Sequence, residues 1–231
     1  MPRMARVVIP GIAHHVTQRG HRREDVFFSD ADRRRYLELL GQYASEHALA
    51  VQAYCLMTNH LHLIVVPATP ESLSRALKPV HLRYAQETNH RRQVSGVLWG
   101  GRFFSCPLDE RHFWSAVRYV ERNPVRAGLE RQAWRYPWSS AAAHCGLRRD
   151  PLLSGELEQS DEIGHWQSWL CDEDDEEALA TLRRCTRTGR PAGGESFVKK
   201  LEALCGRLLR PKPAGRRRRK GQAGHPGEEC G

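Results

Sequence analysis

The sequence holds seven cysteines in 231 residues, at 55, 106, 145, 171, 185, 205 and 230, and no two stand in a C-x-x-C arrangement. The odd, scattered set supports neither a disulfide framework nor a thiolate zinc site, and a reducing cytoplasm is expected. No stretch approaches the roughly 18 apolar residues that a membrane span needs. The opening MPRMARVVIPGIAHH has basic residues but no long apolar core of a secretory leader, so neither a signal nor a membrane partner is expected. Residues 151–180 lack Lys and Arg altogether and carry ten acids. Internal repeats are missing as well.

Positive charge is plentiful. Lys and Arg total 36 against 27 Asp and Glu, a net of +9, with arginine far ahead of lysine. Mean hydropathy is −0.62, and 40% hydrophobic residues suffice for a globular core of one or two domains. Residues 1–150 carry 22 basic and 13 acidic groups, and residues 181–231 carry 14 and 4, so two basic bodies flank an acidic strip. That pattern fits a polyanionic partner, nucleic acid first, or a solvated basic surface.

Hydropathy patterning predicts the order β-α-β-β-α-β-α. Val7 to Arg19 reads as a strand interrupted at Pro10-Gly11. Ser29 with Asp32 three residues on is a helix cap, and Tyr36, Leu39, Leu40 and Tyr43 share the face that follows. Residues 51–57 and 60–66 form a hairpin about Thr58-Asn59. Leu73, Leu77, Val80 and Tyr84 stripe a second helix, residues 94–108 hold one or two short strands, and a third helix spans Asp109 to Arg122, ended by Asn123-Pro124. A ferredoxin-like α+β antiparallel sheet sandwich closes that order, with a helical basic C-terminal extension. We divide the chain into a folded unit at 1–130, an aromatic-rich extension at 131–150, an acidic linker at 151–177, a helical, DNA-contacting unit at 178–210 and a disordered basic tail at 211–231. In the fourth, helices near 176–184 and from Ser196 flank a Gly-containing turn. In the tail, Arg216–Lys220 would bind phosphates non-specifically.

His60-Leu61-His62 carries the chemistry. Alternate residues of a strand share a face, so both imidazoles point one way, roughly 7 Å apart, while Leu61 and Leu63 point the other. The pair is either two core histidines or a divalent-cation site; burying two such rings without partners is costly. Tyr119 and Asn123 lie four apart, off the apolar stripe Phe113, Ala116, Val117 and Val120. Tyr119 is either an amphipathic tyrosine at a sheet edge or a residue facing a site.

MTNHLHLIV, LWGGRFFS, YVERNPVRAGL and YPWSSAAAH, taken together, resemble the single-tyrosine HUH transposases, and more closely the REP-associated tyrosine transposases related to the IS200/IS605 group. RRCTRTGRPAGGESFVKKLEALCGRLLRPKPAGR is similar to the tail of one branch. The resemblance covers about 5–145 and 180–215. It implies the HUH nuclease fold over 1–130 and a metal-dependent single-stranded DNA endonuclease and strand transferase acting at hairpin-flanked sites. His60, His62 and Asn123 would hold Mg²⁺ or Mn²⁺, and Tyr119 would form a covalent 5′-phosphotyrosine. Arg19, Arg22, Arg23 and Arg102 would contact DNA, and Trp99, Phe103 or Tyr54 would stack on bases. The partner would be hairpin-bearing single-stranded DNA of repeat elements, the setting cytoplasmic and nucleoid-associated, and strand transfer would use a homodimer or one site twice. The alternative is a domesticated repeat-hairpin binder that no longer cleaves.

Overall fold

The computed structural model describes residues 6–154, 157 and 165–210; the expected tail at 211–231 lies outside them. Its elements are β1 (His14–Arg19), α1 (Asp30–Glu46), β2 (Leu49–Leu56), β3 (His60–Pro67), α2 (Ser72–Arg92), β4 (Phe104–Pro107), α3 (Glu110–Glu121), α4 (Asn123–Arg126), α5 (Ala141–His144), α6 (Trp166–Cys171), α7 (Glu176–Thr188) and α8 (Glu195–Cys205). Every strand pair is antiparallel, in the order β2-β3-β1-β4. This is the ferredoxin-like arrangement, with the HLH strand inside the sheet rather than at its edge. No helix among the described residues is long and apolar enough to cross a membrane.

Strand alternation sorts the side chains into two layers. Val16, Leu61, Leu63 and Val65 face one way and pack on Tyr36, Leu40, Leu77 and Tyr84 of α1 and α2. Ser29 caps α1, accepting from the Asp32 backbone N–H at 3.3 Å, and the buried Asp32 carboxylate ties α1 to Arg91 of α2. Ala53, Cys55, Ile64 and Cys106 face the other way, onto Ala116, Val117 and Val120 of α3 and Leu182 and Cys185 of α7. Helices therefore cover both faces, and the second face is the one that carries His60 and His62.

Several sequence expectations shift. The first strand begins only at His14, because Gly11 turns the chain at φ +71° and the segment before it packs Val7 and Ile9 against Leu201 and Leu209. Of residues 94–108 only Phe104–Pro107 pairs as a strand. The third helix ends where Asn123-Pro124 is expected to end it: α3 stops at Glu121 with Arg122 as its cap at φ −83°, ψ 0°, and a separate short helix, α4, then opens with Pro124 in its first turn, where no intrahelical N–H is demanded. Within the stretch expected as a linker, α6 buries Trp166 and Leu170. α7 runs past Arg184 to Thr188, and α8 opens at Glu195 under Gly194 rather than under Ser196. Between them, Ala192 exchanges backbone hydrogen bonds with Pro107 and Asp109 at the end of β4.

Candidate active site

The β1–β3 register sets Arg19 opposite His60, Thr17 opposite His62 and His15 opposite Ile64. Opposed residues of an antiparallel pair share a face, so His15, His60 and His62 all point towards α3 and α7. The His60 and His62 rings lie 5.1 Å apart between centroids.

The hydrogen bonds fix the free nitrogen of His60, and for His62 they do so once the direction of the chain to Thr186 is chosen. His60 Nδ1 donates to Asn59 Oδ1 at 2.7 Å, which leaves the Nε2 lone pair available. His62 Nδ1 meets His15 Nε2 at 2.9 Å, and His15 Nδ1 meets Thr186 Oγ1 at 2.7 Å. With Thr186 accepting from His15 and His15 accepting from His62, Nε2 of His62 is likewise a free lone pair. The Thr186 hydroxyl also meets Cys106 Sγ at 3.2 Å. Burial lowers the pKa of His15 to about 3 and of His60 to about 4, with Arg19 adding to the latter. Burial also carries His62 well below the usual histidine range, reinforced by His15 and His60. These rings are neutral at physiological pH, the form that ligates cations.

Tyr119 closes the site from α3. Its ring stands edge-on to His62 at 5.4 Å and to His15 at 5.9 Å. The Arg126 guanidinium carbon lies 4.1 Å from the ring centre, and that of Arg183 lies 5.4 Å away. Burial lowers the pKa of Arg126, against the opposing influence of Tyr119 and Asp174. α3 is anchored by fully buried Glu121, which accepts from Ser140 Oγ (2.6 Å), His144 Nδ1 (2.6 Å) and Trp166 Nε1 (2.8 Å). The YPWSSAAAH stretch thereby holds the tyrosine-bearing helix against the sheet.

Asn123 lies one turn beyond Tyr119, buried, with Nδ2 lacking a hydrogen-bond partner. A flip of the amide would present Oδ1 at that orphaned position. Among the described residues no group of three or more His, Cys, Asp or Glu is placed to hold a metal ion. A cation here would use the two imidazoles plus a donor of another kind. The donor types suit a hard divalent ion: two neutral imidazoles on one strand face and, one turn beyond Tyr119, a buried amide.

The proposed DNA contacts gather at one sheet end. Gly20 N–H bonds to Asn59 O, His21 N–H to Leu98 O and Gly100 N–H to Arg19 O, so the loops after β1, before β3 and before β4 meet there. A Cβ at Gly20 would lie 2.1 Å from Glu24 O, so only glycine admits this turn. Arg22 and Arg23 follow at φ 51° and 68°, left-handed backbone for two non-glycine residues. Arg19, Arg22, Arg23 and Arg102 are exposed, but only Arg19 is paired directly across from a site histidine. Trp99, Phe103 and Tyr54 are corrected: all three are buried in the α1–α2 core and present no face to a base. Sequence reasoning missed His15, Thr186 and Arg126. His15 stood inside the predicted first strand, in HHVTQR, where a second pair of histidines was visible; Thr186 had no local signal.

Residues 9–123, about half of the chain, match the family model described as Transposase IS200 like. The chain belongs to the IS200-like transposase family. Among solved structures it is similar to a REP-associated tyrosine transposase bound to a REP hairpin, with 16% identity and a TM-score of 0.51 over 71% of this chain and 93% of that one. That likeness shows the fold. A candidate transposase from Deinococcus radiodurans R1 is 20% identical, with a TM-score of 0.37 over 52% of this chain and 97% of that one. Comparison with curated proteins gives no match.

Proposed function

We propose that this chain cuts and rejoins single-stranded DNA beside hairpins of repeat elements, with Tyr119 as nucleophile. The observation that carries the reading is the edge-on contact of Tyr119 with His62, 5.4 Å apart, on the face the HLH strand presents. Tyr119 Oη attacks the scissile phosphorus in line; the P–O3′ bond breaks and O3′ leaves as a hydroxyl after taking a proton. A 5′-phosphotyrosine remains, and a later 3′-hydroxyl reverses the step, so rejoining needs no nucleotide cofactor. His60, His62 and Asn123 would hold Mg²⁺ or Mn²⁺, which supplies charge to polarise the phosphate. His15 and Thr186 keep His62 in the ligating tautomer. Arg126 and Arg183 place positive charge beside the tyrosine, where the phosphorane's negative charge develops. Arg19, Arg22, Arg23 and Arg102 hold the strand entering past His60. The REP hairpin in the structurally similar transposase supports a hairpin substrate.

The test is cleavage of end-labelled single-stranded DNA carrying a repeat hairpin, with Mn²⁺, Mg²⁺ or EDTA, and with Tyr119→Phe in parallel. We expect metal-dependent cutting that Tyr119→Phe abolishes while hairpin binding persists. Cutting by Tyr119→Phe at the normal rate would remove Tyr119 from the role; tight hairpin binding by a wild type that never cuts would favour the domesticated binder.

A further inference from the structure

The proposed reaction uses only one end, Arg126, of a longer basic row. Arg118, Arg122 and Arg126 recur every four residues along α3 and α4 and so line one face. All three are largely buried, and among the described residues one carboxylate, Asp174, is within ion-pair distance of all of them: 3.9 Å to Arg118 Nε, 3.5 Å to Arg122 Nε and 3.6 Å to Arg126 Nη1. Arg118 and Arg122 also donate to the Asp172 carbonyl. Those three nitrogens remain buried without a hydrogen-bond partner among the described residues. Among the described residues, three buried cations around one shared acid leave positive charge in excess and donors unpaired, an arrangement that is costly unless another anion completes it. The row extends about 12 Å along the helix axis, longer than one carboxylate can bridge and suited to successive anions on a chain. Its far end reaches Tyr119 through Arg126. Beside its near end opens a cavity of about 110 Å³, lined by Trp114, Trp169, Arg118, Asp174 and Leu179, which offers aromatic faces next to the charge.

We propose that Arg118, Arg122 and Arg126 form a phosphate subsite for the single-stranded DNA running past Tyr119, and that Asp174 marks it as the internal anion with which the strand exchanges. The subsite rests on the nuclease reading for its place beside the nucleophile, but its binding can be measured without cleavage. Labelled single-stranded oligonucleotide is titrated in EDTA against the full chain over a range of salt. The variants are Asp174→Asn, Arg122→Gln, Arg122→Lys and the double variant Asp174→Asn/Arg122→Gln, each checked by thermal melting. Asp174→Asn should tighten binding about 2- to 5-fold, the size of one competing ion pair. Arg122→Gln should cancel that gain and flatten the slope of log K against log salt by about 0.7 for the phosphate lost, while Arg122→Lys keeps the slope. Equal slopes for Arg122→Gln and Arg122→Lys overturn the subsite, and so does a folded Asp174→Asn that binds no tighter. Should Asp174→Asn fail to fold, the Gln–Lys pair still decides. An Arg122-dependent slope in a wild type that forms no adduct with Mn²⁺ keeps the subsite and rejects the nuclease reading.

Discussion

Replacing His15 by alanine removes the side-chain hydrogen bond that holds His62 Nδ1. In the structure His62 Nδ1 is held at 2.9 Å by His15 Nε2, and His15 is held at 2.7 Å by Thr186. Without His15 the His62 ring loses its tautomer lock and can turn Nδ1 or a protonated Nε2 towards the cation. Loss of such an outer partner typically weakens metal binding 10- to 100-fold, about 1.4 to 2.7 kcal/mol. The assay is Mn²⁺ titration by calorimetry in a Tyr119→Phe background with oligonucleotide bound, so that no turnover intrudes. Thr186→Val should lose less, under about 10-fold, because it removes only the outer acceptor and leaves the His15–His62 bond in place. A folded His15→Ala that binds Mn²⁺ like its parent would refute the reasoning. So would a Thr186→Val loss larger than that of His15→Ala.

Glu121→Ala strips the acceptor from three buried donors at once and should cost about 3–5 kcal/mol in urea unfolding; a loss under about 1 kcal/mol would contradict the anchoring role. His14 and His81 are buried with pKa values lowered to about 4 and about 3 from 6.5, chiefly by burial. The unfolded chain therefore takes up protons below pH 6.5 that the fold refuses, so stability is intact above that pH and falls as the pH drops towards 4 and 3. Each group removes about 2 kcal/mol between pH 7 and pH 5. His81→Gln should lessen the pH 7-to-5 difference in unfolding free energy by about that amount; an unchanged difference would contradict it.

Local chemistry was legible in the sequence. The Ser29 cap, the period-2 HLH strand and the apolar stripe of α3 each follow from residues within a few positions, and each appears where the spacing put it. Tyr119, off that stripe, meets His62 because the third helix packs on the histidine face. What escaped was long-range. Thr186 is 171 residues from the His15 it orients, and Asp174 reaches Arg118 through a fold in which α6 and α7 return to the sheet. Trp99, Phe103 and Tyr54 misled for the converse reason: aromatics near glycine and arginine look like a base platform, but composition does not say which face is buried. Asn123-Pro124 ends α3 as its spacing implies; the short α4 that opens directly after it escaped, because proline is costless in a first helical turn.

The central claim is that Tyr119 carries the DNA. The direct measurement is mass spectrometry of the SDS-stable product formed with Mn²⁺ and hairpin-bearing single-stranded DNA, after digestion of both protein and nucleic acid. The account predicts a 5′-phosphonucleotide on the peptide containing Tyr119, absent in EDTA and absent from Tyr119→Phe. Modification of a different residue, or cleavage that leaves no covalent product in a wild type that turns over, would contradict it.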